Sequence, residues 1–343
     1  MAHMIDQTTG RDAIAYIGTT PWHGLGQALT PDADIDTWTR EAGLGYTVLE
    51  SPVLYNSPAA SDLQEWPNRK VLHRSDTGAP LAVVSDGYQV VQPGQVMDFF
   101  RDLVDNNGFR METAGALSDG KRVWALASVG DAAPVLDRDL VKPYLLLGTS
   151  YDGTMATVAK FTAIRVVCNN TITAAVGGYS GGRATRGEVE TSTAYLKSAV
   201  RILHSERFDR DQVRAQLGIM VGGAWDAFLE NTRRMAQLPM GTEEADLFLR
   251  DLLQPWHRST NDISESRAFK RVMELFQGGA IGSNIDGVQG TRWGMLNAVT
   301  ELVDHERGRS NNTRLESAWF GSGAQLKARA ADLLSVEPEK IAA

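Results

Sequence analysis

The amino-acid sequence predicts an α+β fold, with a β-rich mixed region carrying a long central hairpin and then a mostly α-helical region. Three observations carry that prediction. Short β-branched and aromatic runs separated by turn residues fill the first half of the chain. Beyond the glycine-rich segment Gly177, Gly178, Tyr179, Ser180, Gly181, Gly182, the apolar residues recur with the 3.6-residue period of a helix. Between these halves, Gly148 to Thr171 reads as two strands joined by Asp152-Gly153, a favoured hairpin turn.

Taken in order, a first helix is expected over 34–42, then strands at 46–54, 70–73, 80–85 and 88–92, with Asp76-Thr77-Gly78 as a turn. A second helix begins at Pro93, whose fixed φ suits a first helical position. It places Val96, Phe99, Phe100, Leu103 and Val104 on one face and stops at Asn106-Asn107-Gly108. Strands at 109–114 and 122–129 flank the turn Ser118-Asp119-Gly120. On the second hairpin strand, Lys160 and Arg165 are an odd number of residues apart, so an unbroken strand turns at most one of them to the core. Helices are then expected over 191–207, 209–237, 242–253, 264–277, 291–305 and 314–334. Gly218, Gly222 and Gly223 weaken the second of these and mark a place where it splits. Thr242 reads as a hydroxyl cap before Glu243 and Glu244, which suit the positive end of a helix dipole. Trp293, Leu296, Val299 and Val303 form a packing stripe. The organisation is an α+β region over 1–180 and a helical region over 181–343, the latter either a separate domain or packed on the first.

Composition bounds the function classes. With 343 residues, 43% of them hydrophobic and 22% charged, the chain has ample material for a core. No apolar run approaches the roughly 20 residues that cross a bilayer, and the N-terminus lacks the apolar centre of a secretory signal, so a cytoplasmic protein without a membrane partner is expected. Met1 to Met4 read as a cloning remnant with an internal start, which sets His3 aside. A single cysteine excludes an internal disulfide and a cysteine-based metal cluster. The net charge of −8 argues against non-specific coating of nucleic acid, while leaving room for a local basic groove.

No complete catalytic or cofactor motif is present, and neither a metal nor a cofactor is expected. Cys168, at an apolar strand end, reads as a buried small hydrophobe rather than an activated nucleophile. Asn169 and Asn170 either fix a ligand through their amides or close a turn. His23 lies in Trp22-His23-Gly24-Leu25-Gly26, a turn-rich segment that suits a ligand-facing loop or a packed arm, and its glycines do not make a dinucleotide fingerprint. Asp304, His305 and Glu306 supply potential metal ligands at a helix C-terminus, but a histidine there also simply complements the helix dipole, and no metal-ligand spacing supports a metal. The cations Lys121 and Arg122 beside Trp124, Lys160 and Arg165 on the hairpin, and Arg183 and Arg186 beyond the glycines form the candidate nucleic-acid-binding set. Convergence of these groups combines phosphate neutralisation with aromatic stacking, the way single strands are held without base reading.

Trp22 to Gly26, Tyr151-Asp152-Gly153, Arg165-Val166-Val167-Cys168-Asn169-Asn170-Thr171 and the string from Trp293 to His305 together resemble the phage/plasmid-like family called domain of unknown function 932. The chain departs from that pattern at Tyr151, where the family commonly has a histidine, and at Leu302, often a tyrosine. The resemblance implies a mobile-element setting and no mechanism. Three readings follow: an oligomeric protein similar to single-strand annealing proteins, more in keeping with a non-enzyme; an enzyme acting on nucleic acid or nucleotide through His23, Asp152 and Asn169; and an interaction protein that blocks a host defence. A homo-oligomer is expected, because so β-rich a half exposes strand edges that a partner subunit satisfies.

Overall fold

A computed structural model describes residues 5–18, 24–59, 61–136, 138–165, 170–172, 199–257, 261–307, 317–319 and 321–335. The fold is α+β, with sheets concentrated toward the N-terminus and helices toward the C-terminus. The described chain divides into two compact units, each discontinuous in sequence. Unit 1 comprises 1–129, 145–160 and 200–215; unit 2 comprises 130–144, 161–199 and 216–343. The glycine run at 177–182, where the hydrophobic period changes, lies outside the described residues.

In unit 1, strands β1 (Ile14–Ile17) and β2 (Gln27–Leu29) precede helix α1 (Ile35–Glu41). Asp34 caps α1 by accepting from the Thr37 amide at 2.7 Å. Strands β3 (Val48–Tyr55), β4 (Gln64–Arg74) and β5 (Pro80–Ser85) form an antiparallel sheet of their own in that order. Helix α2 (Pro93–Asn107) buries Val96, Phe99 and Phe100, and Gly108 ends it in the left-handed region at φ 70°. Strands β6 (Arg110–Leu117) and β7 (Arg122–Ser128) then pair with each other, and β6 also pairs with β1.

Strand β8 (Ala133–Pro134) pairs with the start of β9 (Leu140–Ser150) in unit 2. Strands β9 and β10 (Thr157–Arg165) are the two arms of the expected hairpin, and the chain passes between units within each. Beside β10 run β11 (Asn170–Ile172), with Asn170 opposite Arg165, and β12 (Ala199–Ile202). β10 is buried along its length except for half-buried Ile164, so Lys160 and Arg165 both lie in the interior. The alternation expected of a half-exposed strand fails because both faces of β10 are covered.

Other expectations need correction. Residues 199–202 are strand rather than the end of a helix, because the run Ala-Val-Arg-Ile finds a partner in β10. Residues 88–92 form no strand; Tyr88 and Val91 are buried, and the Gln89 amide bonds the His204 carbonyl at 2.5 Å. The backbone of α3 (Arg210–Gln237) runs unbroken past its three glycines. Helix α4 (Thr242–Leu253) has the expected span, yet Gly241 is its cap and Thr242 its first helical residue. Helix α5 (Arg267–Glu274) is capped by Ser266 and widens into a π turn over Leu275–Gly279. Helix α6 (Arg292–Glu301) likewise widens over Leu302–Glu306, and α7 (Ser322–Ser335) follows.

The unit 2 core gathers Trp293, Leu296 and Val299 of α6 with Leu249 and Leu252 of α4, Phe269 and Val272 of α5, and Leu326 and Leu334 of α7. All ten residues of α6 are buried, so the expected stripe is part of a helix enclosed on every side. Three of its polar side chains find protein partners: Asn297 and Thr300 donate to the Trp293 and Leu296 carbonyls, each at 2.8 Å, and Arg292 pairs with Glu244 at 3.0 Å.

Candidate functional site

In unit 1, the turn joining β9 to β10 is built by its own side chains. Asp152 accepts from the Thr154 amide at 3.0 Å and the Thr154 hydroxyl at 2.5 Å, while Gly153 takes φ 72°. Ser150 bonds the Met155 backbone through both its donor and acceptor capacity. Arg122 at the start of β7 reaches the Thr154 hydroxyl at 2.8 Å and the Asp152 carboxylate at 3.5 Å. The Tyr151 amide donates to the Lys121 carbonyl at 2.8 Å. The Lys121 backbone and the side chains of Arg122 and Asp152 are thus brought together, and Asp152 is engaged in holding the turn and its cation.

Behind that turn lies a polar core. Arg74 is buried between Asp6 and Asp76, and Tyr46 donates to the Gly120 carbonyl at 2.9 Å under the Arg74 guanidinium. Tyr88 donates to the Ser150 carbonyl at 2.7 Å, and its ring stacks on His204 with centroids 4.3 Å apart. Burial pushes the phenols of Tyr46, Tyr88 and Tyr151 above the ordinary tyrosine value. The Tyr151 hydroxyl is fully buried and has no hydrogen-bond partner among the described residues.

Two members of the expected nucleic-acid-binding set are interior here. Trp124 is 2% exposed, and its ring fills the space left by Gly115 opposite it, where a Cβ would come within 2.5 Å of the indole. Lys160 is 5% exposed. A base cannot stack on a core indole, so direct contact with nucleic acid is withdrawn for Trp124 and for Lys160.

Arg165 belongs to unit 2 and is fully buried. Its Nε donates to Asp139 at 2.6 Å, and its two terminal nitrogens donate to the Ile281 and Gly282 carbonyls at 3.1 and 3.0 Å. The second oxygen of Asp139 accepts from the Trp293 indole at 2.6 Å. Glu301 accepts from the Ile281 amide at 3.0 Å, and burial holds its carboxyl above the ordinary value. The expectation that Arg165 meets phosphate is corrected for the same reason: every donor direction of its guanidinium fork used here points inward. His23, Cys168, Asn169, Arg183 and Arg186 lie outside the described residues, and of Asn170 the backbone alone is described.

A surface that the sequence did not single out lies on the β3–β4–β5 sheet. Its inner face carries the buried Val48, Leu72 and Val84. The register places Ser51, Val71 and Val83 in one row of the outer face, with Leu49 and His73 in the next and Arg69 opposite Ser85. Leu49 and Val83 are 43% and 52% exposed. Beyond the register shift after Pro52, the β3–β4 hairpin presents Tyr55 at 48% and Trp66 at 52% exposure, with exposed Arg69 nearby in sequence. Aromatics ordinarily signal core, and only a positional cue, such as Trp66 beside Pro67 in a polar run, hints otherwise.

Among the described residues no helix is long and apolar enough to cross a membrane. No curated protein and no solved structure matches the chain. A family model, described as domain of unknown function (DUF932), matches residues 80–186 and 190–319, more than half of the chain, and takes in the β9–β10 turn, Arg165, Asp139 and the whole of α6. The chain therefore belongs to the family of domain of unknown function 932.

Proposed function

We propose that the chain is a non-enzymatic binding protein for single-stranded nucleic acid, acting in the phage or plasmid setting that the sequence resemblance implies. One observation supports this reading above the others: Tyr55 and Trp66 stand half-exposed on a β-hairpin that also carries exposed Arg69. Stacking of a base on such an aromatic contributes about 1–3 kcal/mol and needs no base identity. A guanidinium on the same hairpin supplies a local positive charge for phosphate, which a chain of net charge −8 does not offer as a whole. The enzymatic reading loses support, because Asp152 is committed to Thr154 and Arg122.

Titration of labelled single-stranded DNA and RNA oligonucleotides, followed by fluorescence anisotropy at low and moderate salt, tests the proposal. Binding that weakens with salt and falls on Trp66→Ala supports it. A folded protein that binds neither oligonucleotide at low ionic strength overturns it.

A further inference from the structure

We infer that strand β5 is a self-association edge through which two copies of this chain pair, joining their three-stranded sheets. The inference stands apart from the nucleic-acid reading and does not need it.

The two edges of the β3–β4–β5 sheet are treated differently by the sequence. The β3 edge carries Glu50, has Pro52 inside the strand where its missing N–H interrupts pairing, and shifts register at that proline. These are the usual devices that keep an edge from pairing with another chain. The β5 edge has a proline and one register shift, both within its first two residues, and no such device over Ala82 to Ser85. Its sequence, Pro80-Leu81-Ala82-Val83-Val84-Ser85, holds no charge, and its one irregularity lies at the Pro80 end. Among the described residues no strand pairs with its far side. Val83 at its centre is half-exposed.

A second copy suits this edge better than an unrelated strand for two reasons. In a chain of net charge −8, copies repel wherever their surfaces are acidic, and β5 offers an uncharged line of contact. Antiparallel pairing about a two-fold axis also brings Val83 of one copy beside Val83 of the other or its neighbour. The apolar row Val71–Val83 then continues across the junction into the same row of the second copy. Six residues of edge cover roughly a few hundred Å² per copy, below the ~800 Å² of a standard interface, so the pairing is reversible and depends on concentration.

Sedimentation velocity of the full chain over a concentration series reads the association directly. Wild type shifts from monomer to dimer as concentration rises, and Val83→Lys raises the dissociation constant about tenfold or more. Leu247→Lys, at a 62% exposed position on α4, leaves it unchanged. Hydrogen exchange on the wild type adds a measurement that needs no variant: the 81–85 amides gain protection with concentration while the β3 amides do not. A chain monomeric throughout, a Val83→Lys variant that associates like wild type, or β5 protection independent of concentration each overturns the inference.

Discussion

Arg165 and Trp293 are tied through one carboxylate, each donating at 2.6 Å to a different oxygen of Asp139. The carboxylate is fully buried and answers both donors, and the remaining guanidinium nitrogens hold the Ile281–Gly282 turn from inside. Removing Arg165 strands a buried anion, a loss of about 3–5 kcal/mol. Arg165→Met is expected to lower unfolding free energy by that order. Trp293→Phe keeps most of the packing but loses one charge-assisted bond, about 1.5–3 kcal/mol. Denaturant titration of the two single variants and the double variant checks this, and the cycle is expected to show strong coupling because the two donors share an acceptor.

Gly294 reverses a familiar rule. Alanine in a helix interior ordinarily gains about 1 kcal/mol over glycine. Here a Cβ would fall 1.9 Å from the Val288 carbonyl oxygen, a backbone atom with no rotamer to yield. The approach is set by the turn entering α6, where the Thr291 hydroxyl accepts from the Gly294 amide at 3.1 Å. Gly294→Ala is expected to cost about 3 kcal/mol or more, read as a fall in the thermal midpoint. A midpoint equal to or above wild type removes the close approach as an explanation.

Tyr151→Phe points the other way. A buried hydroxyl without a partner carries a desolvation cost of about 1–3 kcal/mol, while the ring itself fills a closed site. Phenylalanine keeps the ring and discards the cost. The expected outcome is equal or higher stability in chemical denaturation, and clear destabilisation means that the hydroxyl has a partner in solution.

What the sequence revealed follows from which signals are local. Strand 80–85 and helix 242–253 match expectation because a short apolar run in the one and a helical period in the other are bounded by turn and cap residues. Strands β1 and β2, with four and three residues, carry too little pattern to be seen. Ala199 to Ile202 fits either period, and only its neighbour β10 decides between them. The site was harder to read, because charge ordinarily means exposure. Arg165 departs from that rule through Asp139, an acid in a turn-like segment with nothing local to mark it. The exposed Trp66 and Tyr55 break the converse expectation, that large aromatics lie inside.

The pairing of buried and exposed groups separates the binding prediction from stability. Trp66→Ala removes a half-exposed ring, so its thermal midpoint is expected to stay close to wild type while single-strand affinity falls about five- to a hundredfold. Arg165→Met is expected to do the opposite, losing stability without a change in the salt dependence of binding by the molecules that remain folded. Salt series on both variants distinguish them, and a weakened salt dependence in Arg165→Met means that its guanidinium reaches phosphate.

Asp332 supplies a pH dependence on α7. Burial raises its carboxyl from the ordinary 3.8 to about 6, against the opposing pull of Arg329. Below the ordinary value both folded and unfolded chains hold the proton, and this group contributes nothing to the difference. As pH rises toward 6 the unfolded chain gives up its proton first, so this contribution lowers native stability, and above 6 the loss is complete. Because the side chain is only half-buried, the expected size is about 1 kcal/mol. Asp332→Asn is therefore expected to be more stable than wild type at pH 8, with the advantage shrinking through pH 6 to 4 until the curves meet. Denaturant midpoints of both proteins across that range test it, and an advantage that persists unchanged at pH 4 assigns the effect to packing rather than to the proton.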